Sequence, residues 1–138
     1  MHPEVQEKVF AELLQIFPNK DITVSEEDLK QMTYSEMALN ESMRLLAPVP
    51  VIGRVTMKEI QLKNNITIPK GTNIFLDIFT MHRSEEHWGP DAKLFNPEHF
   101  ASENLKTIHP FAFAPFSLGN RKCIGKKFYI IIRKKQNN

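Results

Sequence analysis

The chain has 138 residues, 41% of them hydrophobic and 25% charged, the make-up of one globular domain able to bury a core. A formal net charge of +2 is too small to imply nucleic acid as a partner, although Arg121, Lys122, Lys126, Lys127, Arg133, Lys134 and Lys135 gather late. A single cysteine excludes an internal disulfide and suits a reducing compartment, and without a Cys pair or a Cys/His spacing it leaves structural zinc without ligands.

The opening MHPEVQEKVF lacks the charged head and apolar run of a signal peptide, and the apolar run 128–132 is too short to span a bilayer. No membrane anchor or signal is therefore expected within this chain. Val5, Val9, Phe10, Leu13, Leu14 and Phe17 recur at helical spacing between Pro3 and the breaker Pro18-Asn19, which predicts a helix over 3–17. Ser25 with Asp28 makes a box-like cap for a short helix over 26–32, and Thr33 with Glu36 makes a capping box for a longer one over 34–47, ending before Pro48.

Beyond Pro50 the texture changes to strands over 49–57, 60–68 and 73–79. Asn64-Asn65 serves as a hairpin turn, and Pro69-Lys70-Gly71 as a turn with glycine supplying positive φ. A helical piece over 84–88 leads into a meander over 89–115, rich in Pro, Asn and aromatics and apolar enough to pack. A loop over 116–125 and a short helix over 126–134 close the chain. The fold class is mainly α with a small antiparallel β-sheet over 49–79, with no repeats and no domain boundary.

Two constellations carry chemistry. The apolar stripe Tyr34, Met37, Ala38, Leu45 is continued at helical spacing by Glu41 and Arg44. Such a pair is either an ordinary surface ion pair or a buried one, and a buried one must be fully hydrogen-bonded and so anchors another segment. The second is Cys123 in FSLGNRKCIG. Gly119 permits a left-handed backbone, Gly125 removes a side chain where a flat ligand could approach, and a helix starting beyond it favours a thiolate. Phe116 could screen the sulfur, and the guanidinium fork of Arg121 suits a carboxylate.

The same residues admit other readings. A phosphate-cradling loop would need a Gly-Lys-Ser/Thr ending and a preceding strand. A nucleophilic cysteine would need one of His82, His87, His99 or His109 as its base. A plain buried cysteine remains the simplest alternative.

The pattern Phe116-x-x-Gly119-x-Arg121-x-Cys123-x-Gly125 resembles the haem-binding signature of the cytochrome P-450 monooxygenases. Glu41-Ser42-Met43-Arg44 resembles that family's Glu-x-x-Arg helix, and Asn96-Pro97-Glu98-His99-Phe100 the segment whose basic residue packs onto it, with His99 where Arg is commoner. The wording of ESMRLLAPVPVIGRV and HPEVQEKVFAEL is similar to the animal microsomal branch that includes fatty-acid hydroxylases.

The resemblance implies haem b as cofactor, with Cys123 as its catalytic axial thiolate and Phe116, Gly119, Arg121, Gly125 and Arg54 around it. It implies Glu41, Arg44 and His99 as a supporting cluster, and Val49, Pro50, Val51 and Ile52 as lining for an apolar substrate. It further implies O2 as co-substrate, an NADPH-dependent reductase docking at Lys122, Lys126 and Lys127, and the cytosolic face of the endoplasmic reticulum membrane for a complete member. The likeness covers only the C-terminal part of such an enzyme, without its membrane anchor or distal helix, and the ending KKFYIIIRKKQNN departs from it. The alternative is a truncated or relic fragment, from an incomplete reading frame or a duplicated gene, that binds no haem by itself.

Overall fold

Pro3, whose fixed φ suits a first helical turn, opens α1 (Pro3–Ile16) in the computed structural model, which describes residues 2–18, 24–126 and 129. The helix stops one residue short of the expected 17, with Phe17 as its C-cap and Phe10 and Leu14 left exposed. Ser25 and Asp28 then form a reciprocal capping box. The Asp28 N–H donates to Ser25 Oγ at 3.2 Å and the Ser25 N–H to the Asp28 carboxylate at 2.9 Å, opening α2 (Glu26–Gln31). Met32, expected within this helix, leaves helical geometry at ψ 65° and is fully buried.

The capping box expected from Thr33 and Glu36 does not form. Thr33 already lies inside α3 (Thr33–Leu45), and the cap comes from α1 instead. The Glu12 carboxylate accepts the N–H groups of Tyr34 (2.6 Å) and Ser35 (2.8 Å) and the hydroxyls of Ser35 (2.6 Å) and Thr33 (3.1 Å). An ionised carboxylate with two oxygens satisfies two orphan donors at the positive end of a helix, which a hydroxyl cannot match.

α3 also ends before the expected 47, because Leu46 turns out at ψ 57°. Its last-turn carbonyls find side-chain partners: His82 Nδ1 lies 3.2 Å from the Arg44 oxygen, and the Arg83 guanidinium donates to the Leu45 oxygen.

The region 49–79 holds two separate strand pairs rather than one sheet. β1 (Val51–Val55) is antiparallel to the last strand, β4 (Asn73–Asp77), with Val51 opposite Asp77 and Val55 opposite Asn73. Between them, β2 (Ile60–Gln61) pairs with β3 (Thr67–Ile68), so the stretch read as one strand over 60–68 is itself a hairpin. Asn64 and Asn65 turn it at φ 64° and 58°, a backbone that asparagine tolerates better than other side-chain-bearing residues.

β1 ends before the expected 57 because Thr56 turns inward, its hydroxyl donating to the Pro69 carbonyl at 2.7 Å and accepting the Thr72 N–H at 2.9 Å. β4 ends at Asp77, whose carboxylate accepts the Thr80 N–H at 2.9 Å. That cap converts Ile78–Met81, expected to be partly strand, into helix α4.

After α5 (Glu85–Trp88), the meander packs a core of Trp88, Ala92, Phe100 and Ala112, with Met37 of α3, Ile108 and Phe113 against it. Phe100 and Phe113 meet edge to face at 4.7 Å between ring centroids. A 3-10 turn over Pro97–Phe100 and the short α6 (Ser102–Leu105) are its only regular pieces among the described residues. The protein is thus mainly helical with small antiparallel strand pairs. The helix expected over 126–134 lies outside the described residues except for Lys126 and Tyr129. No helix among the described residues is long and apolar enough to cross a membrane.

Candidate functional site

Glu41 and Arg44 lie one turn apart on α3, and both side chains are 0% exposed. Arg44 grips the carboxylate with both arms of its fork, Nε to Oε2 and Nη2 to Oε1, each at 2.7 Å. Its other bonds go to main-chain oxygens: Nη1 to His82 (2.6 Å) and Ala92 (2.5 Å), and Nη2 to Leu94 (3.1 Å). The Trp88 ring lies 4.9 Å from the guanidinium carbon.

Glu41 Oε1 in turn accepts the Asn96 N–H at 2.8 Å and faces His99 Nδ1 at 3.1 Å. A charge pair with no exposure costs several kcal/mol in lost hydration and survives only with this degree of satisfaction. Its partners at residues 92, 94, 96 and 99 fasten the meander to α3, and residue 82 ties in the end of α4. On the far side of His99, Nε2 lies 3.1 Å from Asp91 Oδ1 but without hydrogen-bond alignment, so the contact is electrostatic proximity rather than a directed bond. His99 and then the Asn96 amide hold the Asp91 carboxyl below its ordinary range.

His82 was not legible as part of this cluster. Its ring is fully buried; Nδ1 donates to the Arg44 carbonyl at 3.2 Å, and Nε2 accepts the Ala114 N–H at 2.9 Å. A ring that donates from one nitrogen and accepts at the other is neutral, with the proton on Nδ1. Burial pushes its pKa down to about 4 against the opposing hydrogen bond to the Arg44 carbonyl, and the Arg44 and Arg83 cations add to the lowering. Sequence offered His82 only as one of four possible bases for Cys123; its partners lie 38 and 32 residues away, beyond any local signal.

Beyond Ala114 the chain folds into the loop that presents Cys123. The Ser117 N–H reaches back to the Ala114 oxygen at 3.0 Å, and Ser117 itself sits at φ 58°. Gly119 sits at φ 72°, where a β-carbon would be strained although nothing lies within 4 Å of it. The Cys123 N–H closes the loop on the Phe116 oxygen at 2.8 Å.

A β-carbon on Gly125 would sit 3.7 Å from Cys123 Sγ, so this glycine keeps one side of the sulfur clear. The Tyr129 N–H donates to the Gly125 oxygen at 2.9 Å, an i+4 bond just past the thiol. Phe116, expected to screen the sulfur, packs edge-on against Tyr129 at 5.4 Å instead, and Cys123 is exposed. The plain buried cysteine is therefore excluded. Among the described residues no histidine ring hydrogen-bonds this thiol, since His82 and His99 are committed to the cluster and His109 Nδ1 accepts the Phe111 N–H at 3.1 Å.

Arg54 on β1 donates to the Gly53 carbonyl at 2.8 Å and to Ser117 Oγ at 3.2 Å, joining the strand to the cysteine loop. It lines a depression of about 720 Å³ together with Arg121, Val55 and Phe75. A second, apolar cavity of about 480 Å³ is lined by Ile52, Leu76, Ile78, Phe111 and Leu118, and shares Arg54 with the first. Of the four residues expected to line a substrate, Ile52 faces this cavity; Val49, Pro50 and Val51 are exposed and line neither hollow. Lys122 and Lys126 are exposed beside Cys123 in the chain, and Lys127 lies outside the described residues. The described residues contain no group of three or more His, Cys, Asp or Glu side chains that could hold a metal ion.

The sequence matches the family model "Cytochrome P450" over residues 1–130. Among curated proteins, it is 49% identical to "Probable cytochrome P450 313a4" of Drosophila melanogaster over 97% of this chain and 27% of that protein. It is 44% identical to "Probable cytochrome P450 313a2" over the same shares, and 40% identical to "Probable cytochrome P450 4aa1" over 94% of the chain and 25% of the relative, both from the same fly. The chain thus spans about a quarter of the length of the curated relatives it matches.

Proposed function

Because the chain belongs to the cytochrome P450 family, we propose that residues 116–125 form part of a haem site in which the Cys123 thiolate would hold the iron. The observation that carries this reading is an exposed thiol on a loop pinned at both ends, with Arg54 and Arg121 sharing one apolar-sided hollow beside the loop. Two cations with Val55 and Phe75 suit a flat, largely apolar molecule bearing two carboxylates, as haem b does. When bound, haem supplies the redox and oxygen chemistry, which an electron-rich thiolate favours by promoting O–O cleavage.

The protein's own residues have separable tasks. Arg54 and Arg121 meet the carboxylates. Gly119 allows the left-handed turn, and Gly125 leaves the sulfur accessible. Glu41, Arg44 and His99 hold the meander, and through it the loop, in register. Ile52 contributes to the apolar side on which a substrate rests, the one of the four expected lining residues that faces that cavity.

In the complete protein the reaction is insertion of one atom of O2 into an apolar organic substrate. The second atom leaves as water, with two electrons from NADPH through a reductase and two protons. Lys122, Lys126 and Lys127 offer that reductase a basic face, and the complete protein resides at the endoplasmic reticulum membrane.

The test is direct. The chain is loaded with haem, reduced and exposed to carbon monoxide, with Cys123→Ala as control. A thiolate-type Soret band present in the parent and absent in the variant is expected, whereas a parent without that band would mean that this chain does not ligate haem through Cys123. Docking at the basic face is tested separately, since electrostatic steering requires the reduction rate to fall steeply with salt.

A further inference from the structure

Among the described residues, the one buried titratable side chain that this reading leaves without a task is His82. It stands where three parts of the fold meet. Its main-chain oxygen receives Arg44 Nη1 at 2.6 Å, its Nδ1 donates to the Arg44 carbonyl at 3.2 Å, and its Nε2 receives the Ala114 N–H at 2.9 Å. The Ala114 oxygen in turn holds the Ser117 N–H, and Ser117 Oγ receives Arg54. A continuous series of bonds therefore runs from the end of α3, through one imidazole, to the entry of the cysteine loop and across to β1. The ring also stacks at 5.3 Å on Phe113, the residue before Ala114.

We propose that His82 is a positioning residue for the thiolate loop, its neutral ring holding the Ala114 amide against the end of α3 and so fixing where the turn that carries Cys123 begins. The inference deepens the haem-thiolate reading and rests on it for the purpose of the loop, but not for the bond itself. Chemistry limits what can replace the ring. The task needs an acceptor at the position of Nε2, and a protonated imidazole has none. The charges that act on the ring are the Arg44 guanidinium of α3 and the neighbouring Arg83, both cationic, so neither assists protonation.

The experiment is amide hydrogen exchange on the full chain, residue by residue, in the parent, His82→Gln and His82→Phe. The Gln side chain can present an oxygen near Nε2, while Phe fills the space and accepts nothing. The expected result is protection at Ala114 kept within a few-fold by Gln and lowered at least about tenfold by Phe, with the interior amides of α3 unchanged in both. Protection equal to the parent's in His82→Phe, or lost alike in both variants, would overturn the proposal in favour of a packing role.

If Phe lowers protection throughout the chain, a pH series on the unsubstituted protein decides. Selective loss at Ala114 as His82 protonates, ahead of α3, supports the proposal, and simultaneous loss overturns it. A second readout is the haem-loaded protein, in which Phe but not Gln shifts the reduced carbon monoxide spectrum away from the thiolate type. A parent lacking that spectrum would sink the haem reading while leaving the exchange result to stand.

Discussion

The Glu12 carboxylate of α1 receives the backbone N–H groups of Tyr34 and Ser35 at 2.6 and 2.8 Å, so one helix caps the start of another. The bond couples the docking of α1 to the formation of α3, the helix that carries Glu41 and Arg44. Glu12→Ala is expected to cost about 1–2 kcal/mol, the usual penalty for a lost N-cap, measured as a fall in the urea midpoint. Glu12→Gln keeps one acceptor and is expected to fall between the two. A variant as stable as the parent would show that the two helices hold together without this cap.

The same carboxylate makes a pH prediction. Burial raises the Glu12 pKa, but the bonds from Ser35, Tyr34 and Thr33 together outweigh it and bring the value below 4.5. A carboxyl depressed in the fold is ionised there while its unfolded counterpart takes up a proton. The stability it contributes is thus complete above the ordinary carboxylate range and lost as pH falls through the folded value. Glu12→Gln should flatten that acid limb of the stability profile, and an unchanged limb would contradict the assignment.

Removing one member of the buried pair should be far worse than removing both. Arg44→Leu leaves the Glu41 carboxylate buried without its guanidinium partner and is expected to cost about 3–5 kcal/mol. Joint replacement of Glu41 and Arg44 by leucine removes both desolvation penalties, so much of that loss should return in a double-mutant cycle. The recovery will be partial, because Arg44 also satisfies the main-chain oxygens of His82, Ala92 and Leu94. Additive losses in the cycle would refute the pairing as the source of the cost.

How much of this was legible in the sequence depends on the range of each interaction. Glu41 and Arg44 stood out by continuing the apolar stripe of their own helix, which left a buried pair and a surface pair both open, and Ser25 with Asp28, Asn64-Asn65 and Gly71 carry turn and cap chemistry within a few residues. The capping box at Thr33 failed because a competitor 21 residues upstream, Glu12, offered the helix start a stronger acceptor than any local hydroxyl. The strand 60–68 failed because apolar spacing marks extended backbone without saying which strand pairs with which. β1 found its partner across the whole hairpin, in β4. The cysteine loop was readable as a motif, while the support beneath it, His82, was not, since a histidine followed by arginine has no pattern until the chain closes over it.

His82 should also show in the overall stability. Its folded pKa of about 4 lies below the ordinary 6.5, so between those values the unfolded chain binds a proton that the folded protein refuses. Stability is therefore complete above about pH 6.5, declines on acidification and levels off near the folded value, with a total of no more than about 3–4 kcal/mol. The pH dependence of the urea midpoint measures this, and His82→Gln should remove the slope in that window. A slope that persists in the variant would have to come from other groups.

The two glycines that flank Cys123 should respond to substitution in opposite ways. Gly119 sits at φ 72° with open space around it, so Gly119→Ala meets no clash and pays only for the left-handed backbone, about 1–2 kcal/mol. Gly125 has an ordinary φ, and an added methyl would rest at van der Waals distance, 3.7 Å, from Cys123 Sγ. Gly125→Ala should therefore leave the unfolding midpoint nearly unchanged while slowing the attack of the exposed thiol on a disulfide reagent, a rate that depends on access to the sulfur as well as on its ionisation. If instead Gly125→Ala destabilises the protein and leaves thiol reactivity alone, this glycine serves the backbone and not the space beside the sulfur, and the proposed approach of a flat ligand on that side loses its support.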